Sequence, residues 1–416
     1  MERIFKRSIK EVPHPIQVDP HKLSLRAQKV QRYMESKLVD QPRAIKRLVK
    51  VYERFLSNMN DPTRPVEVLM FLGPTGSGKT RAVEVFSEAI FGRDVTIKID
   101  CAEFRSEHEI AKLGGSPPGY VGSGKETAAN ARITNEKLRA HYAGVPGAPA
   151  LSIVLFDEIE RGNNSLHMLL YGIMDKGTLT LGNGEVVDFR RTVIVFTSNL
   201  GSKELDEVLS NTGIGFVRNT QHTSDTDHAV YQVSTGAAKR FFEAPFIGRV
   251  DRMVVFRPLN EDALRKILDI ELDALQEHLK KTYRYIMVKV SDDAKEFLLH
   301  EGFKKSEGAR HLKKSVQRFL KDPIASLIAS LQVASGDFLY AAIDPGDDEL
   351  SFSILPGVVD IQSDPMIVQP KADEGNGNVG QGSSDYVHTC LVGNDGLCMY
   401  CLKPMGPCGG PMASTK

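Results

Sequence analysis

The sequence predicts an α/β protein, with a mostly parallel β-sheet covered by helices on both faces and a smaller α+β domain after it. Helical patterns such as TRAVEVFSEAIF and NSLHMLLYGIMDKG alternate with short apolar runs, which favours a parallel sheet. Beyond FRPL (256–259), one long helical pattern, further helices and three strand-like runs predict the smaller domain. The apolar runs are β-branched and typical of buried parallel strands: VEVLMFLG (66–73), VTIKID (95–100), SIVLFDE (152–158) and TVIVFTSN (192–199).

These patterns divide the chain into five segments. Residues 1–37 are polar and partly helical, 38–257 form the large α/β domain, and 258–355 form the small domain. Residues 356–387 are rich in Gly and polar side chains, which is typical of a flexible linker. Residues 388–416 form a tail that carries four of the five cysteines.

Composition narrows the class of protein. The chain has 416 residues, of which 41% are hydrophobic and 25% charged, an ordinary globular mixture. Lys plus Arg and Asp plus Glu both number 53, so no net charge attracts the whole chain to nucleic acid or to an anionic membrane. No apolar run has the length of a signal peptide core or a membrane span. We therefore expect a cytoplasmic protein that acts on neither nucleic acid nor membranes.

A phosphate-binding loop is predicted between the first strand and the next helix. The Gly-rich run GPTGSGKT (73–80) lets backbone N–H groups converge on phosphate oxygens at a helix N-terminus. Lys79 would place its charge on the β- and γ-phosphates, and the Thr80 hydroxyl would ligate Mg²⁺. The alternative, a Gly-rich turn that matches by chance, does not explain the strand and helix on either side. The candidate nucleotide-binding residues here are Gly73, Pro74, Thr75, Gly76, Ser77, Gly78, Lys79 and Thr80.

Polar residues at the ends of two later strands complete a hydrolytic site. Asp157 and Glu158 follow the strand SIVLF, and Asn199 ends TVIVFTSN. Carboxyl ends of parallel strands are where such sheets bind ligands. Asp157 would hold Mg²⁺, Glu158 would act as the base for the attacking water, and Asn199 would orient that water. An acidic helix cap and a plain turn residue are the structural alternatives; with the phosphate loop upstream, hydrolysis of ATP is the better interpretation.

Taken together in order, six segments that include these motifs resemble the AAA+ ATPases of the Clp type, specifically the second ATPase module of ClpA, ClpB and ClpC. The resemblance spans residues 38–355, and we expect one such module in the chain. It implies a P-loop AAA+ module with its parallel sheet and small C-terminal domain. The matching segments are GPTGSGKT, GGSPPGYVG, VLFDEIE, TLTLGNGEVVDFRRTVIVFTSNLGS, VVFRPL and GARHLKKSVQRFLKDPIASLI.

The resemblance also implies roles for residues that the pattern alone does not single out. Leu38 and Val39 match the segment that contacts adenine, although Asp40 stands where the family usually has Gly. Arg249 matches the arginine finger that reaches the γ-phosphate of the neighbouring subunit, and Arg310 matches the sensor-2 position.

One match departs from the family pattern beside it, and another agrees with the pattern of the strands. Gly248 precedes the finger position where the family usually has Asn. Asn199 matches sensor 1, which agrees with the role inferred from its strand end. For Arg249 and Arg310 the alternative is an ordinary surface ion pair.

The run GGSPPGYVG (114–122) sets Tyr120 and Val121 among residues that forbid a helix. It resembles the pore loop of Clp-type rings, in which an aromatic ring grips a threaded chain with little specificity. A tyrosine buried in an ordinary turn is the alternative. The resemblance implies a homo-oligomer, a hexamer in the family, that acts on unfolded or tagged proteins.

A second exposed tripeptide is suggested by Ile214-Gly215-Phe216, in a polar stretch after the fourth predicted strand. It resembles the loop by which ClpA, ClpC and ClpX dock onto a ClpP-like peptidase. Packing of Ile214 and Phe216 onto their own domain is the alternative.

The tail offers four thiolates, which is the number that a tetrahedral Zn²⁺ site requires. They belong to Cys390, Cys398, Cys401 and Cys408, and only the middle pair has C-x₂-C spacing. A flexible tail of reduced thiols is the alternative.

The leading hypothesis is an ATP-driven unfoldase that threads polypeptide through a central pore and feeds a ClpP-like peptidase or releases its product. A nucleotide-switched scaffold that remodels a dedicated partner is the alternative; Glu158 and the Tyr120 loop argue against it. A nucleic-acid motor is disfavoured by the neutral charge and the aromatic loop.

Overall fold

The chain is represented by a computed structural model that describes most of its two predicted domains. Among the described residues, no helix is both long and apolar enough to cross a membrane. All of the described residues belong to a unit that spans Met1–Ile361. They are residues 19–115, 131–143, 145, 147–202, 204–205, 224–283, 286–303, 308–344 and 346–355.

The large domain is a parallel sheet between helices. Five of its described strands pair side by side in the order β2-β3-β6-β1-β7, every pair parallel. Its elements, in chain order, are α1 (Leu25–Lys37), α2 (Pro42–Leu56), β1 (Glu67–Leu72), α3 (Lys79–Phe91), β2 (Ile97–Asp100), α4 (Ala111–Gly114), α5 (Asn135–Arg139), β3 (Ser152–Asp157), α6 (Asn164–Lys176), β4 (Thr178–Thr180), β5 (Val186–Asp188), β6 (Thr192–Ser198), α7 (Ser224–Phe241), α8 (Ala244–Ile247) and β7 (Arg252–Val255). The predicted fold class is confirmed.

The central strands are buried on both faces, which is why their sequences are continuously apolar rather than alternating. In β1, Val68 and Met70 belong to the core on one face, whereas Leu69 and Phe71 belong to the core on the other. The second core also contains buried residues of α1, α2 and α3. The sheet is therefore fixed in place by helices on both sides.

Three features differ from the sequence prediction. β2 was expected to be buried, but among the described strands it lies at the edge of the sheet beside β3, and its residues other than Ile99 are at least partly exposed. β7 was not predicted; it adds to the sheet beside β1. The antiparallel hairpin of β4 and β5 was not predicted either.

The small domain packs helices against a three-stranded sheet of order β10-β9-β8. β8 and β9 run parallel, and β9 and β10 run antiparallel. Buried aliphatic residues of its helices and strands, such as Leu298, Leu312 and Leu339, form a third core. The three strand-like runs predicted here are confirmed. Its elements are α9 (Glu261–Tyr283), β8 (Met287–Val290), α10 (Asp292–Gly302), α11 (Ala309–Val316), α12 (Asp322–Ala329), β9 (Phe338–Ala342) and β10 (Ser351–Leu355).

Candidate nucleotide-binding site

The phosphate loop lies between the end of β1 and the start of α3, and the hinge segment that follows β7 passes directly against it. Gly73 has φ +146°, and a Cβ at this position would lie 2.7 Å from the Phe256 carbonyl oxygen. Only glycine fits there without displacing backbone. The loop and the hinge to the small domain are thus in direct contact.

Lys79 is the buried centre of the loop. Its ammonium donates to the carbonyl oxygens of Gly73 and Pro74 at 2.8 and 2.9 Å, and to Asn199 Oδ1 at 2.8 Å. The side chain is almost fully buried, and burial lowers the pKa of Lys79 to about 8 although nearby carboxylates, that of Glu160 foremost, oppose the shift. The structure therefore brings the predicted lysine and the predicted asparagine together.

Thr80 and Asp157 meet as a magnesium site requires. The Thr80 hydroxyl lies 3.2 and 3.3 Å from the two Asp157 carboxylate oxygens. Mg²⁺ prefers a few protein oxygens together with phosphate oxygens and waters, so this donor pair suits it. The phosphate loop and the acidic strand end consequently fit ATP with Mg²⁺.

Glu158 follows β3 directly and has an unusual backbone conformation. Its φ of +54° and ψ of +52° are left-handed, a conformation uncommon for residues other than glycine. One carboxylate oxygen accepts a hydrogen bond from Asn199 Nδ2 at 3.2 Å, and the other lies 2.8 Å from Arg161 Nε. The predicted base is thereby held between two donors.

Thr197 and Glu160, which the sequence did not single out, form further hydrogen bonds at the ends of β3 and β6. Thr197, on β6, donates from its hydroxyl to Asp157 Oδ1 and accepts from the Glu158 backbone N–H at 3.0 Å. Glu160 accepts from the Asn199 backbone N–H at 3.0 Å. Glu160 is visible in the sequence as a third acidic residue; Thr197 is hidden inside an apolar run.

The predicted adenine segment lies next to the phosphate loop. Leu38 is buried, and its Cδ1 lies 3.3 Å from where a Cβ on Gly78 would be; Val39 is half-buried. Asp40 has φ +54°. This explains why glycine suits the position, and Asp is among the residues that tolerate the left-handed region best.

Gln41, which sequence reasoning also missed, connects this segment to the loop and the hinge. Its amide N–H₂ donates to Ser77 O at 3.2 Å and Arg257 O at 3.0 Å, and its amide oxygen accepts from Arg257 N at 3.1 Å. Only 3% of the residue is exposed. A polar residue buried this deeply and fully hydrogen-bonded is part of the architecture of the site.

The small domain reaches the loop through the start of α11. The Ala309 N–H donates to Gly76 O at 3.3 Å, and Gly308, at φ +52°, is so close that a Cβ would lie 3.1 Å from the same oxygen. Arg310 lies in the first turn of α11 and is exposed. The pKa of Lys79 is lowered mainly by burial and to a smaller extent by the charge of Arg310, which places this charge beside the loop.

Arg249 lies elsewhere. Its guanidinium contacts Asp175 Oδ2 through Nε at 2.8 Å and Nη2 at 2.7 Å, and it donates to Pro245 O at 2.7 Å. It also lies over the Tyr171 ring, 4.8 Å from the centroid. Among the contacts described for this side chain none is to the phosphate loop of its own chain, so the structure does not bring Arg249 into that site.

The remaining predicted sites lie outside the described residues. This holds for the pore-loop residues Tyr120 and Val121 and for the tripeptide Ile214-Gly215-Phe216. The described residues contain no cluster of three or more His, Cys, Asp or Glu arranged to hold a metal ion. Zinc stays a prediction from sequence, because its four candidate ligands also lie outside: Cys390, Cys398, Cys401 and Cys408.

Comparison with known families agrees with this geometry. Residues 64–253 match the AAA domain (Cdc48 subfamily), and residues 259–340 match the C-terminal, D2-small domain of ClpB protein. The chain therefore belongs to the AAA+ ATPases, for which ATP and Mg²⁺ are the implied cofactors. Within them it is a Clp-type module, as its small domain and the relatives below indicate.

The relatives are Clp proteins several times longer than the matched region. Chaperone protein ClpB of Aquifex aeolicus (strain VF5) is 32% identical over 325 residues, 78% of this chain and 30% of that protein. Chaperone protein ClpB 1 of Parasynechococcus marenigrum (strain WH8102) is 32% identical over 321 residues, 77% and 34% of the two chains. Negative regulator of genetic competence ClpC/MecB of Bacillus subtilis (strain 168) is 30% identical over 319 residues, 76% and 37%. The chain thus spans about a third of the length of the relatives it matches.

The lowered pKa of Lys79 predicts that ATP binding is linked to proton uptake. With a pKa of about 8 in the nucleotide-free protein, Lys79 is mostly neutral at about pH 9, and bound phosphates favour its charged form. Binding of ATP in the presence of a chelator should therefore take up roughly one proton at that pH, and affinity should fall as the pH rises above 8. Calorimetry in buffers of different ionisation enthalpy measures this uptake.

The matched control is Lys79→Arg, because an arginine stays charged throughout this range. In that variant the proton uptake should disappear even if affinity changes. Absence of uptake by the wild type at about pH 9 would show that Lys79 is already charged in the nucleotide-free protein and would contradict its lowered pKa.

Proposed function

We propose that this chain is an ATP-hydrolysing module that forms rings and unfolds proteins by threading them through a central pore. ATP hydrolysis is supported above all by one observation: the ends of β3 and β6 lie against the phosphate loop. There direct hydrogen bonds join Lys79 to Asn199, Asn199 to Glu158, and Thr80 to Asp157. Phosphoryl transfer to water uses groups of these kinds: a cation, a pair of hard oxygen donors, a carboxylate base and an amide.

Each group has one task in this proposal. Lys79 and the loop N–H groups hold the β- and γ-phosphates, and Thr80 with Asp157 holds Mg²⁺, which when bound neutralises charge on those phosphates. Glu158 accepts a proton from the attacking water. Asn199 exchanges its contact with Lys79 for one with the water or the γ-phosphate, because Lys79 turns to the nucleotide.

The ring part of the proposal rests on Arg249. Its described contacts are with Asp175, Pro245 and Tyr171 and none is with the phosphate loop of its own chain, which fits a finger that serves a neighbouring subunit. A homohexamer follows from the Clp resemblance, and Arg310 would sense the nucleotide from the small domain of the same chain.

The unfolding part rests on the sequence GYVG and on the relatives. Several of these are named chaperones, and one from Solanum lycopersicum is named an ATP-dependent Clp protease ATP-binding subunit ClpA homolog. We propose that Tyr120 and Val121 contact unfolded or tagged substrates. Docking of Ile214-Gly215-Phe216 onto a ClpP-like peptidase is the proposed route to degradation.

Glu158→Gln should bind ATP normally but hydrolyse it roughly 10²–10⁴ times more slowly, because the water loses its base. Steady-state phosphate release and equilibrium ATP binding measure the two properties. Glu277→Gln is the control, since Glu277 is exposed on α9 and pairs only with Lys280 there. Near-normal turnover by Glu158→Gln would rule out the assigned base.

Arg249→Ala should bind ATP normally, but its rate of hydrolysis should fall by a factor on the order of 10³, because an arginine finger raises kcat by at least this factor. Arg265→Ala is the control, because Arg265 also forms an exposed ion pair, with Glu296 on the small domain. Mixed with Glu158→Gln subunits, Arg249→Ala subunits should regain activity, since some interfaces then contain both an intact finger and an intact base. No recovery in rings shown to be mixed would contradict action on a neighbour.

Tyr120→Ala should keep basal ATPase activity within about threefold and lose unfolding of a tagged fluorescent substrate, because the ring supplies apolar grip rather than chemistry. Tyr231→Ala is the control, since Tyr231 is exposed on α7. Unfolding by Tyr120→Ala at the wild-type rate would show that the loop does not grip substrate. A loss of both activities together with folding would identify Tyr120 as a core residue.

A further inference from the structure

The Thr197 hydroxyl makes two hydrogen bonds to the acidic strand end, one as donor and one as acceptor. The side chain lies at the end of β6 and is fully buried. Its hydroxyl donates to Asp157 Oδ1 and accepts from the Glu158 backbone N–H at 3.0 Å. A single side chain therefore holds both the predicted magnesium ligand and the backbone of the predicted base.

The need for such a group follows from where the strand ladder stops. The pairing of β3 with β6 ends at Phe156 and Phe196, and Glu158 then turns into the left-handed region. At that turn the Glu158 N–H donates to the Thr197 hydroxyl oxygen rather than to a strand carbonyl. Asn199 and Arg161 hold the Glu158 carboxylate, but the contact to its backbone N–H comes from Thr197.

We propose that Thr197 is a positioning residue for ATP hydrolysis. It fixes the peptide between Asp157 and Glu158, so that the first carboxylate faces Thr80 and the second faces Asn199. The inference rests on the proposed function, in which Glu158 is the base.

A matched control exists on the same strand. Thr192 is also on β6 and is also buried, but its hydroxyl has no hydrogen-bond partner among the described residues. Replacing either threonine with valine keeps the shape and removes the hydroxyl. Only at Thr197 does the change leave a buried N–H and a carboxylate oxygen without this partner.

The experiment compares Thr197→Val, Thr197→Ser and Thr192→Val in the full chain. Thr197→Val should lower kcat by about 10- to 100-fold, with KM for ATP and the ATP dissociation constant within about threefold of wild type. Thr197→Ser should restore kcat to within about threefold of wild type, because serine retains the hydroxyl. Thr192→Val should match wild type.

Two further measurements separate positioning from general stability. Hydrogen exchange of the nucleotide-free protein should be faster at Glu158 in Thr197→Val than in Thr192→Val, since only the former releases that N–H. In a double-mutant cycle, Thr197→Val should cause little further loss of single-turnover rate once Glu158 is Gln, because the two act as one unit.

Each alternative result has a definite meaning. If wild type hydrolyses ATP and depends on Glu158, but Thr197→Val has a kcat within threefold of wild type, the positioning role is wrong and the proposed function stands. If Thr197→Val loses ATP affinity and thermal stability in parallel with kcat, the role is structural and the inference is overturned. A wild type that hydrolyses no ATP would overturn the proposed function and, with it, this inference.

Discussion

The register between β3 and β6 is the constraint on which the site depends. Five consecutive residue pairs, from Ser152 with Thr192 to Phe156 with Phe196, fix one strand against the other. Because side chains alternate between faces, a slip of one residue would exchange the two cores and turn the polar strand ends away from the phosphate loop. The dense apolar packing on both faces therefore stabilises the sheet and also aligns the groups that we propose to be catalytic.

The phosphate loop is also where three parts of the chain meet. Phe256 of the hinge lies against Gly73, the start of α11 lies against Gly76, and Gln41 joins Ser77 to the hinge backbone. Loop, hinge and small domain thus meet through close backbone approaches and through the buried Gln41 amide. A change in loop conformation on binding phosphate would therefore act on the small domain through direct contacts.

The sequence predicted the main sheet and the centre of the site, because both depend on local pattern. Apolar runs identified four of the five strands of the larger sheet, and the phosphate loop and the acidic strand end were evident from composition and context. β7 was missed since it is short and begins with Arg252. Thr197 was not singled out because it lies within a strand pattern like its neighbours. The ion pair of Arg249 with Asp175 joins positions 74 residues apart, which only the folded chain brings together.

In the proposed ring, the environment of Arg249 would affect the thermodynamics of assembly. A free arginine side chain has rotamer entropy worth about 2 kcal/mol, which a contact between subunits would normally remove. Here the Asp175 carboxylate, the Pro245 carbonyl and the Tyr171 ring have already ordered the guanidinium during folding of the single subunit. A neighbouring chain would meet a cation whose conformational freedom is already reduced, so that the entropic penalty of the encounter is correspondingly smaller.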